Sequence, residues 1–395
     1  MLNEHTLKFR AQRGLSSPGL LGRYFFAGVM TLFIAQAAVV THAHAADVTV
    51  DVIAEGLEHP WGVAFLSDGQ GMLVTERAGN LRHVAPDGEV SGPIKGVPQV
   101  WAKGQGGLLD IALAPDFASS RHIYLSYSEG GSARAGTAVG YGQLSNDLRQ
   151  LENFKVIFRQ EPKMSTGQHF GSRLVFDNDG YLYITLGDNG QRPLPQDLDK
   201  LQGKVVRIRP NGDIPNDNPF VRNAMARDEI WSYGHRNPQG AALHPDTGRL
   251  WVNEHGPRGG DEINIPKAGA NYGWPIATHG INYSGSPIPE AKGEQVEGTE
   301  PPNLVWEVSP AVSGMAFYAG NRFAQWQGSI FVGALRDRSL IRLVQNNKGE
   351  IQEEERLLKD LGERIRDVRS GPDGYVYVLT DADNGRLLRV GLETQ

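Results

Sequence analysis

The sequence predicts a six-bladed β-propeller with four-stranded antiparallel blades, on three observations. An apolar strand, a turn rich in Asp, Pro and Gly, and a second apolar strand return six times along the chain. Glycine supplies 49 of the 395 residues, well above its usual share of about 7%, as a chain full of tight turns requires. Helical periodicity is almost absent, so the apolar runs read as short strands.

The first 45 residues stand apart from this pattern. Lys8, Arg10, Arg13 and Arg23 precede an apolar run over 24–40, and Ala43-His44-Ala45 forms a small-x-small cleavage site before Ala46. Such a segment is a secretory signal peptide, removed to leave a periplasmic or secreted protein with no stable membrane span. An uncleaved anchor is the competing reading, weakened because the run is barely long enough to cross a bilayer and Gln36 interrupts it.

From residue 46 to 395 the repeat takes over as one domain. Its first copy is Trp61-Gly62-Val63-Ala64-Phe65 turning at Ser67-Asp68-Gly69; its second is Leu109-Asp110-Ile111-Ala112-Leu113 turning near Pro115-Asp116. In the third, apolar runs at 173–176 and 181–186 flank Asp177-Asn178-Asp179-Gly180, a strong hairpin signal. Gly240-Ala241-Ala242-Leu243 turns at Pro245-Asp246-Thr247-Gly248. Gly314-Met315-Ala316-Phe317 links more loosely to 328–332, and Val368-Arg369-Ser370 turns at Gly371-Pro372-Asp373-Gly374 before 375–379. Intervals of roughly 50–75 residues suit a four-stranded blade with variable loops. A sandwich also uses short strands but does not repeat one hairpin at blade-sized intervals. Runs at 80–84, 204–208, 340–344 and 386–390 read as outer strands, and 48–53 as an added strand that closes the ring on the last blade.

Charge and composition exclude several functions. The chain has 45 acidic against 39 basic residues, net −6, with no basic block, so nucleic acid is not an expected partner. It has no cysteine, hence no disulfide. Gly104-Gln105-Gly106-Gly107 lacks the strand-turn-helix context of a dinucleotide site, and no His-x-x-x-His or Glu-x-x-His spacing suggests zinc.

What remains is a set of polar residues at strand entries and exits, on the face opposite the Asp-Gly turns. Gln105 enters the second blade, and His169 enters and Asp188 leaves the third. Arg236-Asn237 enter and Glu254-His255-Gly256-Pro257 leave the fourth; Arg336 leaves the fifth; Arg364 and Arg366 enter the sixth, which Thr380-Asp381 leave. A ring gathers these ends around one mouth. Taken alone, a His beside a carboxylate is more often a structural hydrogen bond than a general base held in one tautomer. Four arginines at the mouth ask for a ligand with several carboxylates or phosphates. Gly256-Pro257-Arg258-Gly259-Gly260-Asp261-Glu262 offers carbonyls and carboxylates suited to oxygen-ligated Ca²⁺, without EF-hand spacing. A base, an anion and a hard cation serve hydrolysis or oxidation equally, and the residues alone do not choose.

The motifs Gly104-Gln105-Gly106-Gly107-Leu108-Leu109, 169–174, Gly187-Asp188, Gly234-His235-Arg236-Asn237-Pro238-Gln239-Gly240, Asp261-Glu262-Ile263-Asn264, Asn271-Tyr272-Gly273-Trp274-Pro275 and Arg364-Ile365-Arg366-Asp367-Val368 resemble, in order, the glucose/sorbosone dehydrogenase family. The His-Arg-Asn-Pro-Gln-Gly block is the most specific of them. The likeness is greater to the family's bacterial soluble aldose sugar dehydrogenases than to its classical soluble glucose dehydrogenase. It implies a periplasmic six-bladed propeller that binds pyrroloquinoline quinone (PQQ) and Ca²⁺ and oxidises aldoses at C1 to lactones, passing electrons to a quinone, cytochrome or dye.

By the same resemblance His169 takes the proton of the sugar C1 hydroxyl while hydride passes to the quinone, Asp188 orients it, and Gln105 lies on the substrate side. Arg236 and Asn237 match residues at the quinone oxygens. Arg364, Ile365 and Arg366 match a carboxylate-binding segment, as do Ala334, Leu335, Arg336 and Asp337 more loosely, and Tyr283 lies along the cofactor. The carbonyls of Gly256 and Pro257 match those holding the catalytic Ca²⁺, and Glu262 and Tyr272 match a second, structural calcium site. Where the classical glucose enzyme has a lysine at the cofactor this chain has Arg336, and the insert that supports dimers is shortened, which favours a monomer. Two other functions compete: a calcium-dependent propeller lactonase, whose ion is ringed by carboxylate and amide side chains rather than arginines, and a non-catalytic propeller that binds a glycan or protein.

Overall fold

The computed structural model describes residues 47–131, 133–346 and 348–393. The expected signal peptide, 1–45, lies outside the described residues. Over 46–395 the chain forms six antiparallel sheets, five of four strands and one of three. Blade 1 is Pro60–Phe65, Met72–Glu76 and Asn80–Val84; an isolated pairing of Val84 with Val90 stands where its fourth strand would begin. Blade 2 is Leu108–Leu113, His122–Gly131, Arg134–Leu144 and Leu151–Arg159. Blade 3 is Leu174–Phe176, Leu182–Thr185, Lys204–Ile208 and Ile230–Tyr233. Blade 4 is Pro238–Leu243, Leu250–Glu254, Asp261–Asn264 and Leu304–Trp306, and blade 5 is Val312–Phe317, Ile330–Ala334, Ser339–Gln345 and Ile351–Leu357. Blade 6 is Ile365–Ser370, Val376–Thr380 and Gly385–Leu392, completed by Val48–Leu57.

The first strand of each blade abuts the first strand of the next, and 365–370 returns against 60–65, so the sheets form a closed ring. The closing strand behaves as the sequence predicts: Val48 pairs with Leu392 and Val52 with Leu388. The hairpin of blade 3 also forms as expected, Val175 opposite Tyr183, with the Asp177 N–H donating to the Tyr181 carbonyl at 2.9 Å and Gly180 at φ 82°. One expectation is corrected. The segments at 204–208, 340–344 and 386–390 are third strands, and the true edges are strands such as Ile351–Leu357, IQEEERL. Edge strands carry charge on their open side, which protects them from pairing with other chains but removes the apolar run that marks a strand in sequence. Among the described residues, helix is confined to a four-residue turn at Phe117–Ser120 and short 3₁₀ turns, and no helix is long and apolar enough to cross a membrane.

Because side chains alternate across a strand, every blade presents an apolar face to each neighbour. Among the described residues the core is therefore split into clusters between neighbouring blades, with a further small one of Trp61, Leu109, Ala135 and Phe170, rather than gathered in one centre. Tyr183 and Val205 of blade 3 pack on Ala241, Leu250 and Val252 of blade 4, and Leu57, Val63 and Met72 meet Tyr377 and Leu379 where the ring closes.

The axis itself is ionic. The Arg173 guanidinium pairs with Asp110 at 3.1 Å and Asp367 at 2.9 Å, and Arg369 pairs with the same two carboxylates at 2.7 and 2.9 Å. Asp110 also accepts the Leu174 N–H, and Asp367 the Val63 N–H. Arg173 donates to the Gln239 carbonyl at 2.6 Å and lies over the Trp61 ring. Removing one member leaves buried charge unpaired. Arg173→Met is therefore expected to lower stability by about 3–5 kcal/mol, read from urea denaturation, whereas Arg389→Met at the exposed Asp51 pair is expected to change it by less than about 1 kcal/mol.

Candidate active site

The first strand of each blade runs from the mouth down to its turn and the second runs back, so entry and exit residues meet at the mouth. Three blades place a histidine at the entry and a carboxylate at an exit, and all three pairs form: His59 with Asp381 at 2.8 Å, His169 with Asp188 at 2.6 Å, and His235 with Glu254 at 2.8 Å, each through Nδ1. They differ at the other nitrogen. His235 is fully buried and its Nε2 meets the Ser232 hydroxyl at 2.9 Å; His59 Nε2 meets Asp383 at 2.8 Å. Among the described residues His169 Nε2 has no hydrogen-bond partner, and the side chain keeps 11% of its exposure. The sequence places the pair correctly, and the second nitrogen sets it apart from its two counterparts.

His169 is held in a conformation that its backbone does not favour. Its φ is 56°, in the left-handed region that costs a non-glycine residue about 1–3 kcal/mol. Gln105 Oε1 accepts its N–H at 2.8 Å, and Asn189 donates to its carbonyl from both backbone and side chain. That carbonyl lies so close to Gly187 that a Cβ there would stand 1.9 Å from it.

The electrostatics favour a neutral imidazole beside an ionised carboxylate. Burial lowers the His169 pKa from its ordinary 6.5, and nearby Arg236 lowers it further against the opposing pull of Asp188. Burial alone would raise Asp188, but the His169 hydrogen bond, Arg236 and the Gly190 N–H outweigh it and hold the carboxyl below its usual range.

A cavity of about 180 Å³ is walled by Trp61, Leu109 and Phe170 and by the polar groups of Gln105, Asn237, Gln239, Arg364 and Arg366; it reaches the chain neighbour of His169, Phe170, and the Gln105 that accepts the His169 N–H, but His169 and Asp188 are not among its lining residues. An adjoining cavity of about 650 Å³ shares His255 and Ala311 with it and adds Gly256, Pro257, Tyr283 and Arg336. The four expected arginines do not converge on one point. Arg366 is buried, donating to Gln239 Oε1 at 3.2 Å and to Asp381 at 2.8 Å, and Arg364 reaches Asp381 at 3.3 Å. Arg336 lies in the outer cavity, donating to the Ser309 carbonyl at 2.8 Å. Arg236 faces neither wall: it donates to the carbonyls of His255 at 3.1 Å and Gly256 at 2.7 Å.

The remaining expected residues divide between these cavities and the frame. Leu335 lines the inner cavity, Ala334 and Ile365 are buried in their strands, and Tyr283 is 74% exposed on the outer one. Asp337 turns away to pair with Arg356. Glu262 is half-buried, its carboxyl raised well above the usual range by desolvation and by Glu254, and its oxygen accepts from Asn264 at 2.8 Å. The Tyr272 hydroxyl donates to the Ile265 carbonyl at 2.6 Å, and its ring stacks on His235. Among the described residues no three His, Asp or Glu side chains are set to hold a metal. Arg77 and Gln239 belong to the inner cavity but were not singled out from the sequence as site residues; Asp381, placed at the mouth by its strand exit but given no role there, lines it too. Asp381 directly follows the second strand of blade 6, Val376–Thr380, whereas Asp188 lies three residues beyond that of blade 3, Leu182–Thr185.

The mouth of the propeller thus carries a histidine–carboxylate pair and, close by, a cavity whose lining includes Arg364 and Arg366, groups suited to binding an anion. The chain belongs to the glucose/sorbosone dehydrogenase family: the model described as Glucose / Sorbosone dehydrogenase matches residues 57–389. It is 61% identical over 346 residues to Aldose sugar dehydrogenase YliI of Escherichia coli (strain K12), covering 87% of this chain and 93% of that protein. The solved apo-form of the soluble aldose sugar dehydrogenase from Escherichia coli superposes with a TM-score of 0.86 at 60% identity, over 88% of this chain and 100% of that one. The PQQ-bound form of aldose sugar dehydrogenase from Streptomyces coelicolor, 30% identical, superposes with a TM-score of 0.70 over 88% and 99%.

The close approach at Gly187 gives a test of the base's framework. Gly187→Ala is expected to cost about 2–4 kcal/mol of stability, because the His169 backbone has to move. Melting temperature and the His169 ring resonances measure both effects.

Proposed function

We propose that the protein oxidises aldose sugars at C1 to the lactone, using PQQ and passing electrons to a quinone, cytochrome or other non-NAD acceptor. The observation that carries this reading is the open Nε2 of His169, the single unpaired nitrogen in the three His–carboxylate pairs. The family and the PQQ-bound relative support the cofactor.

The residues present fit such a group. PQQ is a tricarboxylate, and Arg364 and Arg366 offer guanidinium donors at a wall completed by the amides of Asn237 and Gln239 and the apolar faces of Trp61, Leu109 and Phe170. When bound, PQQ supplies a quinone that accepts two electrons as hydride. The backbone carbonyls of Gly256 and Pro257 can contribute two of the roughly six to eight oxygens that Ca²⁺ takes. One of them already receives Arg236, so a Ca²⁺ ion there needs further oxygens from the bound ligand, and no step is assigned to it.

The chain's own part is proton handling and orientation. His169 Nε2 receives the proton of the C1 hydroxyl. Asp188, fixed on Nδ1, holds the ring in the tautomer that leaves Nε2 open and balances the imidazolium that forms. Burial, helped by Arg236, keeps the resting imidazole neutral, and Gln105, tied to the His169 backbone, presents its amide to the sugar side of the cavity.

The direct test is the absorption spectrum of purified protein loaded with PQQ and Ca²⁺, recorded before and after an aldose is added. Bleaching of the oxidised cofactor, with reduction of an added dye, is expected; an unchanged spectrum with every aldose tried would overturn the proposal. His169→Gln should lower kcat/KM by about 10²–10⁴ and leave PQQ binding within a few-fold. Because His169 must be neutral and burial lowers its pKa from the ordinary 6.5, kcat/KM should rise with pH with its midpoint below that value, as a pH–rate profile would show. Arg366→Ala should weaken PQQ binding by about 10–100-fold, the worth of one charge-assisted hydrogen bond, while the aldose KM stays within about threefold; equal loss of both would count against the assignment.

A further inference from the structure

Asp188 receives a third donor, from another blade. Its Oδ1 takes the His169 Nδ1–H and the Gly190 N–H at 2.6 and 2.7 Å; its Oδ2 takes the indole N–H of Trp274 at 2.8 Å. Trp274 lies on the long connection between the third and fourth strands of blade 4, 86 residues from Asp188, and is buried. Its own position is fixed at both ends of the residue. The backbone N–H donates to the Gly234 carbonyl at 2.9 Å, and the carbonyl accepts Gln196 Nε2 at 2.8 Å. The other side of the indole serves the second charged group of the site: the Arg236 guanidinium carbon stands 5.3 Å from the ring centroid, within cation–π range. One side chain therefore touches the carboxylate bonded to His169 and the arginine whose charge acts on that ring.

We propose that Trp274 is a positioning residue for the general base, holding the plane of the Asp188 carboxylate through its N–H and backing Arg236 with its ring. This rests on the reading of His169 as the base. A carboxylate that donates nothing and accepts three N–H groups is fixed in rotation, and the imidazole bonded to it is fixed in turn. The Trp274 bond also spreads the negative charge of Asp188 away from His169. Without that bond Oδ2 is a buried, unsatisfied acceptor, the carboxylate is more basic, and imidazolium is held more strongly. Asp188, Arg236 and His255 are the charged or titratable groups that act on His169, and Trp274 touches two of the three.

The test is made first on cofactor-free protein, by NMR titration of the His169 ring nitrogens in wild type and in Trp274→Phe, which keeps an aromatic ring and removes the donor. The His169 titration is expected to move up by about one pH unit, the size of one hydrogen bond to a charged group. In loaded enzyme the rising limb of kcat/KM should move the same way and kcat should fall by about tenfold, with PQQ affinity unchanged within twofold. A folded Trp274→Phe whose His169 titrates as in wild type overturns the proposal. Should that variant fail to fold, the wild type decides: the Trp274 indole proton is expected to shift with the His169 titration, and a resonance flat across it sinks the idea. A linked titration in a protein that oxidises no aldose would count against the proposed function while leaving the Trp274–Asp188–His169 linkage standing.

Discussion

The propeller depends on the two carboxylates and two guanidinium groups at its axis. Six wedge-shaped blades leave a tunnel where their first strands converge, and apolar side chains alone cannot fill it while satisfying the inward-facing backbone N–H groups. Asp110 and Asp367 take N–H groups from blades 3 and 1, and Arg173 and Arg369 neutralise them. The four charges cancel, so the burial cost is offset by pairs that are complete. The plug also sets the floor of the site: Arg173 donates to the Gln239 carbonyl and approaches that of Arg366 at 3.4 Å, and both residues line the cavity above. Gly62 and Gly314 leave room for it, since a Cβ at either would press within 2.8 Å of an axial carboxylate oxygen.

Above that floor the blades repeat a smaller device, a histidine at the strand entry bonded through Nδ1 to a carboxylate at a strand exit. Its first use is structural. The pair ties the two open ends of a hairpin in blade 3, and blades 1 and 6 to each other through His59 and Asp381. His169 departs from the pattern: among the described residues its second nitrogen is left without a partner. His235 shows the counterpart: with Ser232 on Nε2 and Tyr272 stacked on its ring it is a strut. The strained φ of His169 and the bare Gly187 beneath it belong to the same departure, because they keep the ring at the mouth rather than packed into blade 3.

How much of this could be read in the chain follows from sequence distance. Hairpins, their turns and the alternation that places Trp61, Asp110 or Leu243 are local, so the ring and its closure by Val48–Leu57 were legible. Charged edge strands such as Ile351–Leu357 were not, because they lack an apolar run. His169 and Asp188 lie at the two ends of one hairpin, and their meeting followed from its register. Trp274 on Asp188 joins two blades across 86 residues, and nothing local announces it. The positions of the arginines were legible but not their directions: Arg236 turned out to face the His255 and Gly256 carbonyls, and Arg336 the outer cavity.

The same directions bear on what the cavity selects. Exposed Arg364 and buried Arg366 both reach toward Asp381 and would repel each other without it, and burial already draws Arg366 down from its ordinary value. Asp381 resolves this by standing between them. Burial pushes its carboxyl up, but Arg366, His59 and Arg364 together hold it far below the usual range, so it stays ionised. The wall is thus pre-formed with an internal carboxylate already bound, and one net positive charge remains for a ligand. A neutral sugar gains little from that charge and a monocarboxylate must compete with Asp381 for the same donors. A rigid ligand with several carboxylates can compete for both guanidinium groups at once, which gives this site a physical reason to prefer a polyanion over a neutral ligand.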